Sequence, residues 1–109
     1  MTENTLPKPV ASFIDVVNRH DEDGFLDAFT SDGFVDDWGR TFTGREAIKR
    51  WSDREFIGAR GTMTVQRTAV DGDMVTVIAD WRSNHANGLS QFDFRVAGDK
   101  LASMTIREG

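Results

Sequence analysis

The spacing of apolar residues changes once along the chain, close to Thr62, and no other feature constrains the fold as much. Before this point apolar residues recur every three or four positions, as they do on one face of a helix. After it they alternate with polar residues, as they do in half-buried strands. A helical half followed by short sequential strands predicts an α+β fold, in which the helices pack on one face of a curved, mainly antiparallel sheet.

Three helices are predicted in the first half of the chain. The first begins near Pro7, because proline is tolerated in a first turn, where its missing N–H has no helical partner. Asp21 is predicted to cap a short second helix. Thr43 and Glu46 have the spacing of a capping box, which predicts the start of a third helix with Trp51 on its apolar face. The apolar face of the first helix consists of Val10, Phe13, Ile14 and Val17.

A short strand is predicted over residues 34–38, between a turn at 31–33 and a tight turn at 39–40. Four longer strands follow, over residues 62–70, 74–83, 89–97 and 101–107. One face of this sheet is apolar, whereas the other is mixed polar and includes Ile78. A face of the second kind is typical either of a contact with another subunit or of a solvated surface.

Composition limits the classes of function that the chain can serve. Its 109 residues suit a single domain over residues 1–109. Without cysteine and with only two histidines, no disulfide, metal site or cofactor is expected. A net charge of −5 argues against nucleic acid and anionic membrane as partners. The N-terminus has no signal-peptide pattern and no apolar run is long enough to span a bilayer, so a cytoplasmic location is expected.

Three parts of the sequence resemble the NTF2-like superfamily in its SnoaL-like and ketosteroid-isomerase-like branch: residues 18–29, residues 34–39 with 43–48, and residues 94–104. The resemblance covers nearly the whole chain. It implies a cone-shaped, cystatin-like fold, with three N-terminal helices on the curved sheet and an apolar pocket for a small hydrophobic molecule. It also implies a homodimer formed through the outer sheet face. The fold itself hosts isomerases, cyclases, hydrolases, dehydratases and binding proteins that catalyse nothing.

The resemblance points to Asp37 as a general base. Members of the isomerase-like branch have an aspartate at the matching position, and Val35-Asp36-Asp37 keeps the local pattern. An apolar cup disfavours the charged form of a carboxylate, which suits it to proton transfer. Only one of Asp36 and Asp37 can point inward along a strand. Alternatively, one of the two aspartates only caps the turn at Trp38 and Gly39.

The other catalytic groups of the isomerase-like branch are missing. Phe13 stands where that branch has a tyrosine, and Phe92 stands where it has a second oxyanion donor. Loss of one such donor typically costs about 10²–10³ in rate, so the loss of both argues against ketosteroid isomerase activity. The Asp–Arg–Asp network of the limonene-epoxide-hydrolase branch is not identified in the sequence.

His85 is a second candidate for catalysis, because it lies in a loop near the expected pocket mouth and histidine titrates near neutrality. It would otherwise be an ordinary exposed loop residue. Glu108 could reach the rim of the pocket, whereas His20 is interpreted as structural and Arg45 as a surface or interface residue. The residues expected to line the pocket, with plain core packing as the alternative, are Phe13, Trp38, Trp51, Phe56, Trp81, Phe92 and Met104.

Two functions of different classes follow from these residues. The chain could be a small enzyme in which Asp37 acts as base on an apolar cyclic or carbonyl compound, by isomerisation, cyclisation, dehydration or hydration. It could instead be a non-catalytic module for ligand binding or dimerisation, because Phe13 and Phe92 make the pocket apolar where catalysts are polar.

Overall fold

A computed structural model describes residues 6–109 of the chain. Within them the helices are α1 (Lys8–Asn18), α2 (Glu22–Asp27) and α3 (Arg45–Glu55). The strands are β1 (Phe29–Asp37), β2 (Arg40–Thr43), β3 (Thr62–Asp71), β4 (Met74–Arg82), β5 (Gly88–Ala97) and β6 (Lys100–Glu108). The predicted α+β class is confirmed, and each predicted long strand matches an observed strand to within one residue at either end.

The six strands form one sheet in the order β2-β1-β6-β5-β4-β3. Strand β1 runs parallel to β6, and every other neighbouring pair is antiparallel. Aligned rows of residues therefore cross the sheet, and neighbouring rows face opposite sides. One inward row contains Asp37, Ile106, Phe92 and Val77.

The helices begin for identifiable local reasons. Pro7 precedes α1, as predicted. The Asp21 carboxylate accepts a hydrogen bond from the Gly24 amide at 3.0 Å and caps α2, also as predicted. The predicted capping box of α3 is wrong, because Thr43 pairs with Phe34 in the sheet. Gly44, with a φ of 85°, lets the chain leave β2 and enter α3 without a side-chain cap.

Two predicted turns lie elsewhere or are absent. Strand β1 runs through residues 31–33, and its register against β6 shifts between Phe29 and Phe34, so these residues form an irregularity instead of a turn. The tight turn consists of Trp38 and Gly39, with φ of 56° and 92°, between the paired residues Asp37 and Arg40. Positive φ at both central residues is the geometry that a two-residue hairpin favours.

The core lies between the helices and the inward face of the sheet. Phe13 is fully buried at its centre, where it contacts the rings of Phe25, Phe29 and Phe94 at centroid distances of 5.3–5.7 Å. The opposite surface of the sheet, called the outer face below, has no helix over it in the part of the chain described. Its rows include Phe34, Asp36, Thr76, Ile78, Asp93, Arg95, Thr105 and Arg107. No helix among residues 6–109 is long and apolar enough to cross a membrane.

Candidate active site

A cavity of about 620 Å³ opens at the end of the sheet where β1, β4 and β6 finish and β5 begins. This volume is in the range of pockets that take small organic ligands. Its charged and ionisable lining residues are Asp37, Glu55, His85 and Glu108. The remaining lining side chains are mainly apolar, and include Trp38, Trp51, Phe56, Trp81, Leu89, Phe92 and Ile106.

Asp37 points into the cavity because it lies on the inward row of the last residues of β1. Its side chain is 14% exposed. The indole N–H of Trp51 donates to Oδ2 at 3.1 Å, and the guanidinium of Arg40 pairs with the same oxygen. No hydrogen bond to Oδ1 is present within residues 6–109, so the described residues anchor only Oδ2 of this carboxylate.

Arg40 joins two carboxylates, because it also donates to both oxygens of Glu55, at 2.6 and 3.1 Å. The turn at Trp38 and Gly39 places Arg40 beside the end of α3, where Glu55 lies four residues after Trp51. The pairing holds the pKa of the Glu55 carboxyl below its ordinary value, since the Arg40 hydrogen bonds favour the charged form. The same bonds raise the pKa of Arg40.

His85 extends this network at the cavity mouth. Its Nε2 lies 3.3 Å from Oε1 of Glu55, and its side chain is about half exposed. The hydroxyl of Ser83 holds the loop, because it accepts from the backbone N–H of His85 at 3.0 Å and of Ala86 at 2.9 Å. The resulting chain of contacts runs from His85 through Glu55 and Arg40 to Asp37.

Asp36 lies on the outer face, away from the cavity. Its carboxylate accepts from Arg107 at 3.0 and 3.2 Å and from the Gly39 amide at 2.8 Å, so it is the aspartate that caps the turn. The Arg107 hydrogen bonds lower the pKa of Asp36. The structure therefore separates the two neighbouring aspartates into one that caps the turn and one that lines the cavity.

One wall of the cavity is a continuous aromatic stack between α3 and β4. Phe56 lies between Trp51 and Trp81, with ring centroids 4.8 and 4.5 Å away and nearly parallel planes. Phe92 meets Trp81 edge to face at 6.0 Å. Trp51, Phe56, Trp81 and Phe92 line the cavity, and the 59% exposed Trp38 lines it too.

Phe13 and Met104 do not line this cavity. Both are fully buried in the core, where the inward row of Met104 also holds Val35 and Phe94. Both side chains point inward, as the sequence indicates. They lie nearer the middle of the sheet, whereas the cavity begins at the next inward row toward the strand ends. Glu108 does reach the cavity rim.

The two remaining candidate residues have structural contacts. Nε2 of His20 lies 3.1 Å from the carbonyl oxygen of Gly61, which agrees with its interpretation as structural. Arg45, interpreted from the sequence as a surface or interface residue, is half-buried, and its guanidinium donates to the carbonyl of Phe29. Within residues 6–109 no group of three His, Asp or Glu side chains is placed to hold a metal ion.

Sequence reasoning missed Arg40 and Glu55. The sequence pattern assigns Arg40 only to a tight turn, and it does not single out Glu55. Neither has a motif around it, because the hairpin and the helix end meet only through the fold. The separation of Glu55 from Trp51 by four positions, one helical turn, was the available signal that both side chains lie on one side of α3.

A sequence model of the SnoaL-like domain family matches residues 10–104. The chain belongs to the SnoaL-like family. A search of curated proteins gives no match for this SnoaL-like chain. Solved structures give many matches, of which three are described here.

A candidate polyketide cyclase from Sinorhizobium meliloti is 24% identical, with a TM-score of 0.82 over 94% of this chain and 95% of that one. SalBIII, an epoxide hydrolase/cyclase-like enzyme of pyran ring formation in the polyether salinomycin, is 21% identical, with a TM-score of 0.81 over 93% and 88%. A computationally designed 17-OHP binder is 16% identical, with a TM-score of 0.81 over 93% and 88%. At these identities the likeness shows the fold of the SnoaL-like protein.

Proposed function

We propose that this SnoaL-like protein is an enzyme that acts on a small apolar cyclic or carbonyl compound, with Asp37 as general base. The observation that carries the proposal is the Asp37 carboxylate in an aromatic-walled cavity, with Oδ2 held by Trp51 and Arg40 and no hydrogen bond to Oδ1 from any described residue. A base needs a fixed direction and a free lone pair, and Asp37 has both.

Asp37 would take a proton from a C–H next to a carbonyl, from a hydroxyl, or from water, depending on the substrate. Removal of the proton leaves an electron pair on the substrate, which can shift a double bond, close a ring, expel a leaving group or attack an epoxide carbon. His85 lines the same cavity and contacts Glu55, so in its protonated form it can return a proton to the product side. Exchange with water then restores both groups.

The network around the base supports this chemistry. Arg40 between Asp37 and Glu55 gives a carboxylate–arginine–carboxylate group, similar in composition to the Asp–Arg–Asp network of epoxide hydrolases of this fold. Cyclisation and epoxide opening are also the reactions named for two of the similar structures. Ketosteroid isomerisation is disfavoured, because Phe13 is buried outside the cavity and Phe92 offers no hydrogen bond to an oxyanion.

The test is a comparison of Asp37→Asn with Asp36→Asn on epoxide, β-keto ester and cyclic enone substrates, followed by product chromatography. Asp37→Asn should lower turnover of any accepted substrate by about 10²–10⁴-fold, since the amide cannot take the proton. Asp36→Asn is the matched control, because it makes the same change one residue away on the outer face, and it should retain turnover. Equal turnover in both variants would exclude Asp37 as the base.

The second candidate is a ligand-binding module that catalyses nothing. The apolar wall of Trp51, Phe56, Trp81 and Phe92 favours it, and a designed protein of this fold binds 17-OHP. Binding of apolar compounds without turnover, unchanged in Asp37→Asn, would identify this function and exclude the enzyme.

We also propose that two copies of the chain associate through the outer face. Ile78 lies on β4, next to the β3 edge strand, and Phe34 lies on β1, 37% exposed. The charges around them are of both signs, which permits complementary contacts with a second copy.

A further inference from the structure

Trp38 has a backbone conformation that is unfavourable for tryptophan. Its φ of 56° is in the left-handed region, where a bulky side chain is strained and where Asn or Gly is preferred. Because Gly39 follows it with a φ of 92°, Asn-Gly is the pair that suits such a turn best. The choice of tryptophan therefore costs stability at this position.

The indole is not needed to build the turn. The backbone N–H of Trp38 donates to the carbonyl of Ile106 at 3.2 Å, and the Asp36 carboxylate holds the Gly39 amide. These contacts involve the Trp38 backbone or its neighbours, and they would persist with a smaller side chain. The fold thus gives no reason for a large aromatic ring here.

Trp38 also differs from the other tryptophans of the chain. Trp51 and Trp81 are buried and stacked on Phe56. Trp38 is 59% exposed, and no aromatic ring within residues 6–109 stacks on it. It nevertheless lines the cavity, at the mouth, as does the half-exposed Leu89. A strained, exposed and unstacked ring at the mouth of a cavity is typical of a ligand clamp.

We propose that Trp38 stacks on a planar aromatic part of the ligand at the cavity mouth and so selects planar aromatic over saturated compounds. This inference rests on the proposed function in one respect, that the cavity takes a small apolar molecule. In the aromatic wall Phe56 has Trp51 and Trp81 on its two faces, and Phe42 also stacks on Trp51, whereas among residues 6–109 no ring stacks on Trp38.

The experiment uses calorimetric titration of the whole chain with 2-naphthol and with decahydro-2-naphthol, a saturated probe of the same carbon skeleton. Trp38→Asn removes both the ring and the strain, and Trp38→Phe keeps a ring. Arg60→Asn is the matched control, because Arg60 has a φ of 59°, is exposed and does not line the cavity. Thermal melts without probe are recorded for all variants.

Trp38→Asn should weaken 2-naphthol binding about tenfold and decahydro-2-naphthol binding by a clearly smaller factor, because only the planar probe loses ring stacking. Its Tm without probe should equal or exceed that of the wild type. Trp38→Phe should bind 2-naphthol within about threefold of the wild type. Arg60→Asn should raise Tm and leave both affinities unchanged.

Three results would overturn the proposal. If Trp38→Asn binds 2-naphthol as the wild type does, the ring is no clamp, although the cavity still binds. If Trp38→Asn lowers Tm by more than about 4 °C, the ring has a structural role. If neither probe binds the wild type, the premise about the cavity fails, and the clamp fails with it.

Discussion

Neighbouring residues of identical chemistry have separate roles in this protein because strand geometry sends them to opposite faces. Asp36 is fixed by Arg107 and the Gly39 amide on the outer face. Asp37 meets the cavity and the Trp51 indole. A one-residue slip of β1 against β6 would exchange them, so the register of this pair decides which carboxylate lines the cavity.

The Arg40–Glu55 pair makes the stability of the fold depend on pH through the titration of Glu55. The pKa of Glu55 is lowered in the folded state, mainly by its Arg40 hydrogen bonds. When the pKa of a carboxyl is lower in the folded than in the unfolded state, the carboxyl stabilises the fold at pH values above its unfolded-state pKa. For Glu this unfolded-state pKa is about 4.3. This stability is lost as the pH falls through the folded pKa. The contribution is moderate, because the Arg40 side chain is half exposed to solvent.

Glu55→Gln should therefore lower the free energy of unfolding at pH 7 by about 0.5–1 kcal/mol. The deficit should shrink once the pH falls below about 4.3, the unfolded value, and vanish only below the lowered pKa of Glu55 in the folded protein, where the wild type also loses the charge. Urea unfolding of both proteins between pH 3 and pH 7 measures this difference in the free energy of unfolding. Glu46→Gln is the control, since Glu46 lies on the same helix with a 90% exposed side chain. A constant deficit over the whole pH range would contradict the prediction.

At the scale of elements, the cavity is built from element ends. The end of α3, the β1–β2 turn, the loop at residues 83–87 and the ends of β5 and β6 meet there. The stack of Trp51, Phe56 and Trp81 links α3 to β4 across this junction. Gly61, at the start of β3, lies so close to Trp81 that an added Cβ would overlap the six-membered ring of the indole.

Gly61→Ala should displace Trp81 and loosen the aromatic wall. Overpacking of this kind costs about 1–3 kcal/mol, so Tm should fall by about 5–20 °C in thermal melts. A phenylalanine at position 81 lacks the ring atoms that the new methyl would meet. Gly61→Ala should therefore lower Tm much less in a Trp81→Phe background than it does in the wild type. Additive effects of the two substitutions would show that Gly61 is required for another reason.

The sequence predicts the strands well because alternation reports burial on one face, and the observed rows follow it. It places α3 correctly but mispredicts its cap, because sheet pairing takes Thr43 away from the helix. The inward position of Asp37 came from a family resemblance and not from spacing. Arg40 and Glu55 could not be predicted, since their contact exists only once a hairpin and a helix end are packed together.

At the scale of the whole molecule, the outer face of the sheet is a large surface that no helix of the described residues covers. The three helices pack on one side of the sheet, and the outer face remains open in the part of the chain described. Ile78 is 9% exposed there, among side chains of both charges. An apolar residue among polar and charged ones is a combination that also occurs in subunit interfaces.

The proposed dimer predicts that the wild type sediments at twice its chain mass of 12.2 kDa at micromolar concentration. Ile78→Lys should shift it to the monomer mass, because an ammonium group buried at the centre of an interface loses its water without gaining a partner. In the free monomer the lysine chain can extend into solvent, so the fold should persist in circular dichroism. Val70→Lys is the matched control, because Val70 is 48% exposed and lies on a row of the opposite, inward side. A wild type that sediments as a monomer, or a Val70→Lys variant that dissociates as Ile78→Lys does, would contradict association through the outer face.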